Sequence, residues 1–126
     1  LPRPLNEIKS HVPNFFVATI SNELVGCGEL TALSERFAEI RSLVVAVQHR
    51  GVGVGQGLLG DLLRKARDQG FPEVCAFTHE ARPFLKAGFS IVPHTWVPEK
   101  ISTDCRYCEW FRRCHQFAVI LELRDS

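Results

Sequence analysis

The chain has 126 residues, 45% hydrophobic and 23% charged, with a formal net charge of +1. That length fits one folded domain over residues 1–126, and the composition is that of a packed protein rather than a disordered one. A near-neutral charge gives no overall field for nucleic acid or an anionic membrane, so any anion site has to be local.

No apolar run reaches the roughly 20 residues needed to span a bilayer. The chain opens without a basic-then-apolar leader, so a cytoplasmic location is expected. Its five cysteines, Cys27, Cys75, Cys105, Cys108 and Cys114, are odd in number and read as reduced thiols rather than a disulfide framework. There is no Met, so a further N-terminal piece is expected before Leu1.

Asn6 to His11 reads as a short helix. Phe15 to Ile20, rich in aromatic and β-branched residues, predicts a strand. Ser21-Asn22-Glu23 is turn-like, and Leu24 to Leu33 predicts the returning strand of a hairpin. Gly26 and Gly28 interrupt that strand, which points to a bulge or a close backbone approach. Phe37 to Val47 predicts the next strand. Phe37, Glu39, Arg41 and Leu43 share one face by alternation, and Ala38, Ile40, Ser42 and Val44 the other. The run Leu43-Val44-Val45-Ala46-Val47 is continuously apolar, as for a strand covered on both faces.

A glycine-rich loop follows. Leu58, Leu59, Leu62, Leu63 and Ala66 then fall at helical spacing, with Gly70 and Pro72 as stops. Glu73 to Thr78 predicts a strand, His79 to Ala87 a helix ended by Gly88, and Phe89 to Val92 a strand. Pro93 to Cys114 shows no periodicity, and Phe117 to Leu123 predicts a final strand. Phe15, Phe16, Phe77, Phe89 and Phe117 read as core. A hairpin-rich half followed by βαβαβ makes a mixed α/β sheet flanked by helices.

The segment from Leu43 to Leu59 carries the chemistry. It is strand, then Arg50-Gly51-Val52-Gly53-Val54-Gly55-Gln56, then amphipathic helix. Glycines let consecutive N–H groups converge without a Cβ in the way. The helix end adds its unpaired N–H groups and the positive end of its dipole. Together they make an anion site suited to a pyrophosphate. A P-loop is excluded, because Gln56-Gly57 stand where Lys-Ser/Thr is required. The dinucleotide fingerprint is excluded as well. Its first Gly should follow the strand directly, and Thr78 stands where the acid would be.

This loop resembles the acetyl-CoA loop of the GNAT N-acetyltransferases, Arg/Gln-x-x-Gly-x-Gly/Ala, filled by Arg50, Gly53 and Gly55. Pro83-Phe84-Leu85-Lys86-Ala87-Gly88-Phe89 resembles the family's Phe-Tyr-x-x-x-Gly-Phe helix end. The resemblance implies a GNAT fold, a mixed and mostly antiparallel sheet whose first strand and helix would precede Leu1. Those elements are expected upstream or from a partner chain, since the strand at Phe15–Ile20 would otherwise be an exposed edge. It also implies that the strand before the loop splays from its neighbour and binds the acetyl group and pantetheine through Leu43, Val44 and Val45. Amides from Arg50, Gly51, Val52, Gly53, Val54, Gly55 and Gln56 would hold the pyrophosphate of the cosubstrate acetyl-CoA.

A narrower resemblance is to short bacterial N-acetylglutamate synthases. It is carried by Val25-Gly26-Cys27-Gly28, by Phe37-Ala38-Glu39-Ile40-Arg41-Ser42-Leu43, and by Lys100-Ile101-Ser102-Thr103-Asp104-Cys105 with Cys108 and Cys114. His115-Gln116 departs from that subgroup, where acidic residues are expected. The resemblance implies acetylation of the α-amine of L-glutamate, a step towards arginine. An amine attacks only when neutral, so a base is required, and Glu39 is the candidate. Arg41, on the same face, suits a substrate carboxylate. A second cation is needed for glutamate, with Arg82 and Lys86 as candidates. The family's thiolate-protonating tyrosine position is Phe84, so that role does not carry over. The competing readings are a Glu39–Arg41 pair without chemistry, a different amine or protein acceptor, and an acyl-CoA-binding module without turnover. A homodimer is allowed for. Cys105, Cys108 and Cys114 could hold zinc, against a packed cluster of reduced thiols; no metal is expected.

Overall fold

The computed structural model describes residues 15–51, 53–100 and 116–123. The expected helix at Asn6–His11, Val52 of the loop, and Cys105, Cys108 and Cys114 of the tail lie outside them.

Among the described residues six strands form one sheet: β1 (Phe15–Ile20), β2 (Glu23–Ala32), β3 (Phe37–Val45), β4 (Glu73–Thr78), β5 (Ser90–Val92) and β6 (Phe117–Glu122), in spatial order β1-β2-β3-β4-β6-β5. Only β3 and β4 run parallel. Helix α1 (Val54–Asp68) connects them and packs on β1, β2 and β3. A short α2 (Arg82–Lys86) follows β4. After β5 come a 3-10 turn at His94–Trp96 and a single turn α3 (Pro98–Lys100).

The hairpin β1–β2 closes on Ser21 and Asn22, both at positive φ. That conformation matches the right-handed strand twist in a two-residue turn. On one face of the sheet, Leu30, Ala38, Ile40, Val74, Ala76 and Val119 meet Leu59, Leu62 and Ala66 of α1 and Phe84 of α2. On the other face Phe37 and Cys75 are covered by Val97. The alternation in β3 sends Ala38 and Ile40 to α1 and Phe37 to the second face, as its pattern requires.

That alternation fails at Ser42. Ser42 has φ +57°, and the β2–β3 register shifts between Cys27↔Val44 and Glu29↔Arg41. Two residues, Ser42 and Leu43, therefore oppose the single Gly28, which is a bulge in β3. The side chain of Leu43 changes face and packs against the α1 core, correcting its expected place beside Glu39 and Arg41. Gly28 allows this approach: a Cβ there would lie 2.8 Å from Leu62 Cδ1 and 3.1 Å from Leu43 Cδ1. The expectation that Leu43–Val47 is covered on both faces is also corrected. Val44 and Val47 are 56% and 72% exposed, because β3 is no longer paired with β4 at Val44 and has ended before Val47. Phe117 is exposed as well, on β6 next to the site.

Candidate active site

The strands β3 and β4 pair only from Phe37↔Glu73 to Ile40↔Ala76. Two residues later comes the Ser42 bulge, which bends β3 away. Phe77 and Thr78 of β4 stay paired with β6 on the other edge and have no β3 partner. The gap so opened is a cleft of about 560 Å³, walled by Glu39–Leu43, Phe77–Glu80, Phe84, Lys100 and Gln116.

Glu39 stands in this cleft with its side chain only 3% exposed. It is the single buried charged residue among those described. Its Oε1 accepts from Arg41 Nε at 3.1 Å and its Oε2 from Lys100 Nζ at 3.0 Å. A carboxylate this deep is tolerated because both oxygens have cationic donors. The Lys100 ammonium also lies 5.4 Å from the centre of the Phe77 ring. Cys75 pairs with Glu39 in the strand register, and burial, with the Glu39 charge as a lesser cause, pushes its thiol well above the usual range. Cys75 is therefore a packed thiol at neutral pH.

At the far end of the splayed strand sits the glycine loop. Ala46 N–H donates to Val25 O at 2.8 Å and Arg50 Nε to Val45 O at 3.3 Å, tying the loop to the sheet. Gly51 and Gly53 have φ +83° and +92°, values that L side chains rarely adopt. Gly53 caps α1 without a side-chain bond. A bond from Gly57 N–H to Gly53 O is where the helical ladder begins, so the amides of Val54, Gly55 and Gln56 precede it at the positive end of the dipole. A Cβ at Gly51, Gly53 or Gly57 would touch nothing within 4 Å, which leaves this end open to a ligand. The Gln56 side chain does not face that opening: its Nε2 donates to Pro83 O at 3.0 Å and links α1 to α2.

The structure thus brings Glu39 and Arg41 together in the cleft, whose wall Leu43 lines although its side chain packs on the α1 core, with Val44 and Val45 leading to the glycine loop. It moves Arg82 elsewhere. Arg82 forks onto Glu80, at 3.1 and 2.6 Å, and these bonds hold the Glu80 carboxyl down at about 2. The cation in the cleft beside Arg41 is Lys100, which the sequence reading missed as a site residue. Its one signal in the sequence is its place at the start of the tail that resembles other chains. Phe84 is buried and packs edge-on against Phe89 at 5.3 Å, so it offers the cleft a ring and no proton. The described residues contain no cluster of three metal-binding side chains.

A sequence model of the Acetyltransferase (GNAT) family matches residues 2–89. An uncharacterized N-acetyltransferase of Chlorobaculum tepidum is 29% identical over 98% of this chain and 79% of its own length. The amino-acid acetyltransferase of Mycobacterium tuberculosis is 31% identical over 84% of this chain, which spans 63% of that relative. The crystal structure of N-acetylglutamate synthase from Neisseria gonorrhoeae, complexed with coenzyme A and N-acetyl-glutamate, superposes with a TM-score of 0.77 at 24% identity. It covers 98% of this chain, which spans 28% of that one. Splayed β3, glycine loop and α1 all lie inside the matched segment, which takes in well over half of the sequence, and the chain belongs to the GNAT family of acetyltransferases.

Proposed function

We propose that this acetyltransferase moves the acetyl group of acetyl-CoA to the α-amine of L-glutamate, with Glu39 as base. The observation that carries the reading is the buried Glu39 held between Arg41 and Lys100 in the cleft where β3 leaves β4. An acidic amino acid presents an amine and two carboxylates, which complement one carboxylate and two cations. The amino-acid acetyltransferase and N-acetylglutamate synthase among its relatives support the same class.

The residues fit the cosubstrate. Amides of Arg50, Gly51, Gly53, Val54, Gly55 and Gln56 would cradle the pyrophosphate of acetyl-CoA, and Leu43, Val44 and Val45 would lie along its pantetheine arm. The exposed side chain of Val44 gives that arm an apolar wall. Acetyl-CoA supplies a thioester carbonyl. Glu39 removes a proton from the substrate ammonium, directly or through one water. The neutral nitrogen then bonds to the carbonyl carbon as the carbon–sulfur bond breaks. The nitrogen gives up a second proton to solvent, leaving an amide, and Glu39 returns its own proton to solvent before the next turnover. The CoA thiolate takes its proton from solvent, since Phe84 cannot supply one.

Release of the CoA thiol is the test, with acetyl-CoA and a panel of L-glutamate, L-aspartate, L-lysine and a polyamine. Turnover is expected with L-glutamate and little with lysine or the polyamine. Activity on another amine and none on glutamate would discard the acceptor and keep the acetyl-transfer chemistry.

A further inference from the structure

Glu39 has a base's position but not, in this structure, a base's freedom. Each of its oxygens already accepts a hydrogen bond from a cation, Arg41 on Oε1 and Lys100 on Oε2. The Glu39 side chain is 3% exposed, that of Lys100 15% and that of Arg41 39%. An incoming molecule therefore meets the two cations before it meets the carboxylate. An amine with no acidic group brings nothing to draw them away, and its own positive charge is repelled by them.

The two cations are not equivalent. Arg41 is two residues from Glu39 on the same strand and is held there by β3. Lys100 comes from a single helical turn 61 positions away in sequence. It reaches Glu39 on a flexible four-carbon stem, with three donors that can point in different directions. It also has the face of Phe77 5.4 Å away, an electron-rich surface on which an ammonium can rest when it leaves a carboxylate.

We propose that Lys100 is a specificity-determining residue that couples acidity of the acceptor to release of the base. A carboxylate of the acceptor draws the Lys100 ammonium off Glu39 Oε2, and the freed oxygen takes a proton from that acceptor's own amine. Arg41 stays on Oε1 and keeps the carboxylate oriented. The exchange swaps one ammonium–carboxylate pair for another, so it leaves no buried charge unpaired. It rests on the acidic-acceptor reading above. It goes further in making the lysine a gate that carboxylate-free amines cannot open.

The test compares wild type with Lys100→Gln and Lys100→Arg, at saturating acetyl-CoA, on L-glutamate and on the two isosteric amides, L-glutamine and L-isoglutamine. For wild type, kcat/KM is expected to be higher for glutamate than for at least one of the amides. In Lys100→Gln, kcat/KM for glutamate should fall by roughly 10- to 100-fold, the worth of a charged hydrogen bond. The acid-over-amide ratio should collapse towards one, with kcat for the preferred amide falling less than kcat for glutamate, because no ammonium is left on Oε2. Lys100→Arg should recover part of the ratio. CoA affinity, measured by calorimetry, should be unchanged in both variants. An equal loss for all three acceptors, or an unaltered ratio, would mean a structural lysine and overturn the gate while leaving the acidic acceptor in place. Wild-type turnover of a polyamine, assayed alongside, with none of glutamate would overturn both.

Discussion

Gly53 and Gly60 stand at and inside α1, and a Cβ at either would touch nothing within 4 Å. Replacing each by alanine therefore changes backbone energetics and no packing. Gly53 caps the helix at φ +92°. An L-residue held left-handed there costs roughly 1–2 kcal/mol. Gly60 lies within the helix, where glycine is about 0.8–1 kcal/mol worse than alanine. Gly53→Ala should thus lose stability and Gly60→Ala gain it, a separation of about 2–3 kcal/mol from the same chemical change. For a chain of this size that is on the order of 10 °C in Tm. Urea unfolding followed by circular dichroism reads it, with midpoints moving in opposite directions at unchanged slope. Coenzyme A affinity should weaken only in Gly53→Ala, since that variant disturbs the loop proposed to hold the pyrophosphate. A wild-type midpoint for Gly53→Ala would mean the loop does not hold its left-handed conformation. Equal shifts of one sign would refute the conformational argument as a whole.

Leu62 is fully buried under Gly28. Leu62→Ala should cost about 2–5 kcal/mol, and Gly28→Ala about 1–3 kcal/mol through overpacking. The double variant should be milder than their sum by more than about 0.5 kcal/mol, and simple additivity in urea titrations would contradict the close approach. Burial raises the Cys75 thiol above its ordinary value of 9.0, so above that pH the unfolded chain loses its proton first. Stability is then untouched below about pH 9 and falls as pH rises, by up to about 1.4 kcal/mol per unit, and Cys75→Ala should flatten that limb. Glu80, held down at about 2 by Arg82, contributes stability above its ordinary 4.5 that is lost as pH falls towards 2. In Arg82→Gln its carboxyl titration, followed by NMR, should move back up towards 4.5.

Much of this fold is legible in local pattern. β1 and β4 occupy the residues that β-branched and aromatic runs mark out, and α1 follows its leucine spacing. The tight turn at Ser21-Asn22 and the close approach at Gly28 are both readable from residue type. The Ser42 bulge is not, because nothing in a serine announces a positive φ. Yet that one residue reverses the face of Leu43 and opens the cleft. α2 is shorter than the helix expected over His79–Ala87. Thr78 Oγ1 bonds with Glu80 N–H and O, and the Glu80 side chain takes Arg82 N–H. These local bonds compete with helix until Arg82. Glu39 and Arg41 could be named from one strand. Lys100 could not, since its role depends on a contact across 61 residues from a single turn too short to show any period.

The central claim is that Glu39 serves as the base for acetyl transfer to glutamate. The direct measurement is formation of N-acetylglutamate by mass spectrometry, at saturating acetyl-CoA and L-glutamate, for wild type and Glu39→Gln. The account predicts product from wild type and a kcat lower by roughly 10²- to 10⁴-fold in the variant, with coenzyme A bound equally by both. Product formed at the wild-type rate by Glu39→Gln would contradict it.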